Sequence, residues 1–196
     1  IQAIERLEDN RVFEQTLLLV ANNDERTVVR AAAFEVLSGL ENKAMYEELF
    51  AKAAGAQSYA VAGAGLNSLS AVSPERAIEL ARQLEPESKN ELETAILKTV
   101  AFHGEEGEFS YFSSKLEQAS NYDLYITAAY FSEYLKKQDL SLALNGLPLI
   151  KAAAKNGPSW AGYYFNKMIE EVSKEQIELA EDKAATEALL KKALEE

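Results

Sequence analysis

The chain has 196 residues, of which 47% are hydrophobic, so it is long and apolar enough to bury a sizeable core. It has no cysteine, which excludes disulfides and thiolate zinc sites but leaves the compartment open between cytoplasm and periplasm. The net charge of −12 argues against nucleic acid and anionic membranes as partners, because both are bound through clustered positive charge. No apolar run approaches the roughly 20 residues that span a bilayer, and no signal peptide is recognisable. We therefore expect a soluble protein with neither a nucleic-acid nor a membrane partner.

The first residues of the chain already follow a helical pattern. The stretch from Ile1 to Leu7 carries apolar side chains at helical spacing and no initiator methionine. A natural start inside a helix is unusual, so we expect a fragment of a longer polypeptide. A processed or trimmed protein is the alternative.

A helical pattern recurs along the chain with a period of a little over thirty residues. In DERTVVRAAAFEVLSGL, Asp24 to Leu40, apolar residues return at intervals of three and four and form one helix face with small residues in its middle. The first apolar positions of the successive copies, which lie 31 to 34 residues apart, are Val29, Val61, Leu92, Ile126 and Trp160. A period of this size is typical of two-helix repeats.

A second amphipathic helix is predicted beside each copy. The apolar stripes of these helices begin at Phe13, Met45, Ala77, Phe112 and Leu144. Ser73-Pro74 predicts a helix start, because Ser caps helices and Pro suits the first helical position. Asn156-Gly157-Pro158 predicts a helix stop and a restart, and Gly104 and Gly107 bracket another turn.

These elements predict an all-α fold in one domain over residues 1–196. The expected architecture is a right-handed α-α superhelix, a solenoid of about five helix pairs that stack on their neighbours. A polar capping helix is predicted over 173–196, with an ion pair between Glu187 and Lys191 one helical turn apart. No segment shows the sustained alternation of a strand.

The residues that catalysis or metal binding would need are missing from the pattern. His103 is the only histidine, and HGEEGE, His103 to Glu108, lacks the ligand spacing of a zinc site, so we predict a solvated turn. The AGAG run, Ala62 to Gly65, lacks the strand and the glycine spacing of a dinucleotide site, and predicts close helix packing instead. We therefore assign no catalytic, cofactor-binding or metal residue in this chain.

Arg30 is the one cation with a candidate role. It lies in the first predicted repeat helix, a few residues after Asp24. We predict a hydrogen bond between repeats to carboxylates of the turns. The alternative is contact with an anionic ligand.

Aromatic residues concentrate in the C-terminal half, and they are too many for one core face. Phe112, Tyr134 and Trp160 fall in core phase and are predicted to be structural. We predict that Tyr130, Tyr163 and Tyr164 line the concave side of the superhelix as a binding surface. The alternative is an ordinary core with half-exposed tyrosines.

Two resemblances add to this interpretation. DERTVVRAAAFEVLSGL resembles the HEAT-repeat consensus, with its turn Asp, Val-Arg pair, two small residues and closing Leu. SYAVAGAGLNSLSAVSPERAIELARQLE and LPLIKAAAKNGPSWAGYYFNKM resemble the C-terminal helical-repeat region of aminopeptidase N-type zinc metallopeptidases (membrane alanyl aminopeptidases), over nearly the whole chain. In that family the zinc belongs to an upstream thermolysin-like domain with a His-Glu-x-x-His helix and a Gly-x-Met-Glu-Asn segment. Neither motif occurs here.

The second resemblance implies a non-catalytic domain of a larger zinc aminopeptidase. Such a domain packs on the catalytic domain of its own chain, limits access to the active site and shapes the choice of peptide substrate. Zinc is then expected in the parent protein's catalytic domain and no cofactor in this fragment, which by itself is not an enzyme. The alternative is a free-standing HEAT-type adaptor that binds a peptide or protein on its concave face. An enzyme acting on small molecules is disfavoured, because the residues for it are missing.

Overall fold

The computed structural model describes residues 14–157 and 159–195, and every regular element in them is helical. The described α-helices are α1 Glu14–Asn23, α2 Thr27–Ser38, α3 Glu47–Ala54, α4 Tyr59–Ser70, α5 Pro74–Leu84, α6 Asn90–His103, α7 Phe109–Gln118, α8 Asn121–Leu135, α9 Leu140–Asn156, α10 Gly162–Leu179 and α11 Lys183–Glu195. This confirms the all-α class. None of these helices combines the length and the apolar character needed to cross a membrane. The predictions for Ile1 to Leu7, Phe13 and Pro158 lie outside the described residues.

The helices form two compact units, the first ending at His103 and the second beginning at Gly104. In the first unit α2, α4 and α6 pack against one another in chain order. The odd-numbered helices α1, α3 and α5 each pack on the even-numbered helix that follows. The first unit is thus made of three successive helix pairs.

Helix α4 lies at the centre of the first unit, because it contacts α2, α3, α5 and α6. Its glycines are fully enclosed by neighbouring backbone. A Cβ on Gly63 would lie 2.7 Å from the carbonyl oxygen of Glu91 at the start of α6, and one on Gly65 would meet the backbone of Ala53 and Ala54 in α3. The packing interpretation of the AGAG run is therefore confirmed.

The predicted core positions of the first unit are largely correct. Ala33, Val61 and Leu92 are all buried. The core position predicted for Met45 is wrong, because this residue is 68% exposed. Tyr46 and Phe50 are buried instead. A short 3-10 turn over Lys43–Tyr46 precedes α3. It shifts the buried positions at this helix start by one residue from those predicted.

Arg30 binds a helix end rather than a carboxylate. Its Nε donates to the carbonyl oxygen of Ala21 at 3.0 Å and satisfies one of the last carbonyls of α1. Asp24 instead accepts from the side chain of Arg26 at 3.2 Å, which holds the pKa of Asp24 below its usual value. Arg30 thus has a structural hydrogen bond, as predicted, but its acceptor is a carbonyl rather than a carboxylate, and the bond lies within the first helix pair rather than between repeats.

Two helices begin on an asparagine in the left-handed conformation. Asn90 has φ of 53° at the start of α6, and Asn121 has φ of 52° at the start of α8. Asparagine tolerates this region better than other residues with a side chain. The two positions are 31 residues apart, so the same turn recurs with the period seen in the sequence. The start of α5 at Pro74, after Ser73, is also as predicted.

The second unit packs α8 against α7, α9 and α10, while α9 and α10 contact each other and α11. Aromatic rings fill its core. The ring centroid of Phe112 lies 5.3 Å from that of Phe131 and 5.2 Å from that of Tyr134, and all three side chains are completely buried. The core positions predicted for Phe112 and Tyr134 are confirmed.

Trp160 is wrongly predicted as core, because 51% of it is exposed. Helix α9 stops at Asn156 as expected, but α10 begins only at Gly162, so Trp160 precedes the helix. The core positions at this helix start are Ala161 and Phe165 instead. Ile126, the corresponding position in α8, is only half-buried.

The single helix predicted over 173–196 is also wrong. Helix α10 continues to Leu179, and Ala180 adopts an extended conformation that ends it. The Asp182 carboxylate accepts a hydrogen bond from the backbone N–H of Ala185 at 3.0 Å and starts α11. The predicted ion pair in this segment is present, with 2.9 Å between Lys191 Nζ and Glu187 Oε1.

Candidate functional site: an exposed aromatic patch

Five aromatic side chains of the second unit gather at the starts of α8 and α10. We call them the aromatic patch: Tyr122, Tyr125, Trp160, Tyr163 and Tyr164. The helical spacing of three residues puts Tyr122 and Tyr125 on one side of α8. Trp160 precedes α10, whose first turn carries the other two tyrosines.

Trp160 is the hub of the patch. Its ring centroid lies 5.3 Å from that of Tyr125, 6.1 Å from that of Tyr164 and 6.4 Å from that of Tyr122. The plane of the Trp160 ring is inclined by 65° to that of Tyr125, by 73° to that of Tyr164 and by 40° to that of Tyr122. The rings therefore do not form one flat surface. Tyr125 also contacts the buried ring of Phe165, which anchors the patch to the core.

The patch is open to solvent. Tyr163 is 72% exposed, Tyr122 61% and Tyr164 45%. Single exposed apolar residues are ordinary on protein surfaces, whereas a contiguous group is typical of an interaction site and makes this cluster a candidate. Tyrosine and tryptophan are also the residues most often found as anchors of protein interfaces.

The structure brings together two of the three residues predicted for a binding surface. Tyr163 and Tyr164 belong to the patch, with their ring centroids 5.5 Å apart. Tyr130 has no ring contact with them in the described part of the chain; it is half-buried, and burial raises the pKa of its hydroxyl. That the patch lines a concave side stays a prediction.

Sequence reasoning missed Tyr122, Tyr125 and Trp160 as site residues. A signal was present, because Tyr122 and Tyr125 have the spacing of neighbours on a helix and Trp160 lies only four residues before Tyr164. Assigning Trp160 to the core hid this relation.

The solvated turn predicted for HGEEGE is correct for Glu105 to Gly107, which are exposed, but not for His103. His103 is the last residue of α6, half-buried, and its Nε2 lies 2.8 Å from Ser70 Oγ on α4. The ring thus joins the two helices at their ends. Across residues 14–157 and 159–195, no group of three or more His, Cys, Asp or Glu side chains could hold a metal ion.

The second unit has a surface depression of about 560 Å³. It is lined by residues of the α8–α9 connection and of the α10–α11 connection. Two of its polar side chains, Asp139 and Gln176, are already bonded to helix ends. Asp139 accepts from the backbone N–H of Leu142 at 2.9 Å, which lowers the pKa of this carboxyl. Gln176 donates to the carbonyl oxygens of Leu135 and Gln138 at 3.1 and 3.0 Å. These groups hold the fold together, so the aromatic patch is the better candidate site.

The loop at the start of the second unit is bonded to a buried tyrosine of the same unit. Tyr134 Oη donates to the carbonyl oxygen of Glu105 at 2.8 Å and lies 3.1 Å from that of Glu106. Burial, followed by the charges of nearby carboxylates, raises the pKa of Tyr134 to about 12. Because the folded state holds this proton more tightly than the unfolded chain, the stabilisation is complete below pH of about 10 and is lost as pH rises through about 12.

We expect Tyr134→Phe to lower the free energy of unfolding by about 1 kcal/mol at pH 7, through the lost hydrogen bond. The difference from the parent protein should shrink between pH of about 10 and 12, because there the tyrosine ionises in the unfolded parent chain while the folded parent still holds the proton. Urea unfolding across this pH range measures both effects. Tyr163→Phe is the matched control, because its hydroxyl is on an exposed side chain. A Tyr134→Phe difference that grows with pH would contradict the assignment.

Fold and site together define an all-α protein with an exposed cluster of aromatic side chains. No protein-family model, no curated protein and no solved structure matches the chain.

Proposed function

We propose that this chain is the non-catalytic C-terminal helical-repeat domain of a larger zinc aminopeptidase. In this role it packs on the catalytic domain and limits access to the active site. The observation that carries the proposal is the succession of helix pairs in the first unit, in the same stretch as SYAVAGAGLNSLSAVSPERAIELARQLE. That stretch resembles the helical-repeat region of these peptidases, and it forms α4 and α5.

The proposal includes a HEAT-like right-handed α-α superhelix of about five helix pairs with a capping element at its C-terminal end. Three features support it. The even-numbered helices α2, α4 and α6 pack in chain order. Glycines at the centre of α4 allow the close approach that stacking requires. The left-handed turns at Asn90 and Asn121 repeat at the period of the sequence pattern.

The proposed mechanism is steric and electrostatic. A helical wall beside the catalytic cleft would exclude bulky or folded substrates. The net charge of −12 would favour peptides with a protonated amino terminus by raising their local concentration. The zinc and the hydrolytic chemistry belong to the catalytic domain in this proposal.

We expect the purified chain to hydrolyse a chromogenic aminoacyl anilide no faster than buffer does. The assay is followed by absorbance, with a commercial zinc aminopeptidase as the positive control. Turnover that persists through repurification and in the presence of a chelator would contradict the non-catalytic role.

A free-standing HEAT-type adaptor that binds a peptide or protein is the second candidate. The exposed aromatic patch favours it, because such a surface can bind a partner without a catalytic domain. The coding sequence distinguishes the two candidates. The adaptor is the better proposal if the reading frame starts near Ile1 and encodes no peptidase upstream.

A further inference from the structure

We propose that the aromatic patch binds the cationic side chain of a peptide or protein segment, with arginine as the preferred residue. This goes beyond the accessory role, because the residues concerned all belong to the second unit and the binding needs no catalytic domain. Three observations carry it: the exposure of the patch, the angles between its rings, and the charge of the protein.

The ring angles favour a cation over a flat ligand. Trp160 meets Tyr125 at 65° and Tyr164 at 73°, with centroids 5.3 and 6.1 Å apart. A base or a sugar stacks on one broad flat face. Rings that are inclined to each other by 65° and 73° do not combine into such a face. A guanidinium or ammonium group is attracted to any ring face within about 6 Å of the centroid. At these spacings one cation can lie within reach of two rings.

Charge complementarity points to the same occupant. The protein has a net charge of −12, so it attracts basic segments and repels acidic ones. Asp123 lies between the two patch tyrosines of α8 in sequence and is exposed. Lys167, one helical turn after Tyr163, has its Nζ 3.8 Å from Glu171 Oε1, so its charge is partly offset within α10. A basic partner is therefore attracted by the overall charge of the protein, and an arginine also stacks on aromatic faces.

The patch carries its own reporter, because Trp160 is the only tryptophan of the chain. We expect its fluorescence to change saturably on titration with a capped hexapeptide that has two arginines in a glycine–serine background. The matched peptide, with citrulline in place of arginine, keeps the shape and removes the charge. It should bind at least about 5-fold more weakly, since the attraction to the ring faces depends on that charge.

Variants locate the binding site. With a dye-labelled arginine peptide followed by anisotropy, Tyr163→Ala and Tyr164→Ala should each lower the affinity by about 2- to 30-fold, the range of a single cation–π contact. Leu179→Ala is the matched control, because this exposed apolar residue lies at the other end of α10 and should bind as the parent does. Circular dichroism melts should agree for all four proteins, since every substituted side chain is exposed.

Three results would overturn the proposal. The first is no saturable change with the arginine peptide. The second is equal affinity for the citrulline peptide, which would make the patch a neutral apolar surface. The third is unchanged affinity in both tyrosine variants, which would assign the binding to the acidic surface in general. None of these results bears on the hydrolysis test of the accessory role.

Discussion

Ala33→Glu is expected to lower the free energy of unfolding by more than about 4 kcal/mol, the largest loss from a single substitution that we predict. Ala33 is completely buried on the inward face of α2, which packs against α4. A glutamate there would bring a carboxylate into an apolar helix contact, and its longer side chain would force the helices apart. Urea unfolding followed by circular dichroism measures the loss.

Glu187→Ala is the control for this substitution. Glu187 is on α11, with its side chain 53% exposed, and it pairs with Lys191 at 2.9 Å. Exposed pairs of this spacing contribute about 0.3–0.5 kcal/mol, and alanine is a good helix former, so the net change should stay within about 0.5 kcal/mol. Equal unfolding midpoints for Ala33→Glu and Glu187→Ala would show that the assigned core face is wrong.

Gly65→Ala is expected to lower the free energy of unfolding by about 1–3 kcal/mol, although alanine usually improves a helix by about 1 kcal/mol. The added Cβ would meet the backbone of Ala53 and Ala54, which cannot rotate away as the tip of a long side chain can. Either α3 or α4 has to move, and both contact the rest of the first unit. Thermal and urea unfolding should both report the loss.

Gly162→Ala provides the opposite case. Gly162 is the first residue of α10, and a Cβ there would meet no atom within 4 Å. We expect this substitution to leave the stability unchanged or to raise it by up to about 1 kcal/mol. If Gly65→Ala and Gly162→Ala shift the unfolding midpoint in the same direction, the close packing of α3 and α4 is incorrect.

The sequence predicted the first unit well, for reasons that are local. Its helices present small and apolar residues at clear intervals, as at Ala33 and Val61, and Ser73-Pro74 marks a helix start through backbone chemistry alone. Where the prediction failed, at Met45, a short 3-10 turn had changed the phase of the next helix. A turn of three or four residues leaves little trace in hydrophobic spacing.

The second unit was harder, because its aromatic residues occur on several faces of the same helices. Trp160 is a residue type that is usually buried, but here it is half exposed. Its exposure follows from the start of α10 at Gly162, which leaves Trp160 outside the helix. The break between Leu179 and Lys183 was not predicted, because the sequence on both sides of it is rich in residues that favour helices. The patch joins residues of α8 to residues nearly forty positions later, a contact that only the fold determines.

The accessory role is tested most directly on the polypeptide encoded upstream of Ile1. We expect it to contain a peptidase domain with a His-Glu-x-x-His helix. Deleting this chain from that polypeptide should preserve hydrolysis of a small aminoacyl anilide but raise the relative rate on long or folded substrates. A reading frame without such a peptidase, or a long-to-small substrate ratio that the deletion leaves unchanged, would contradict it.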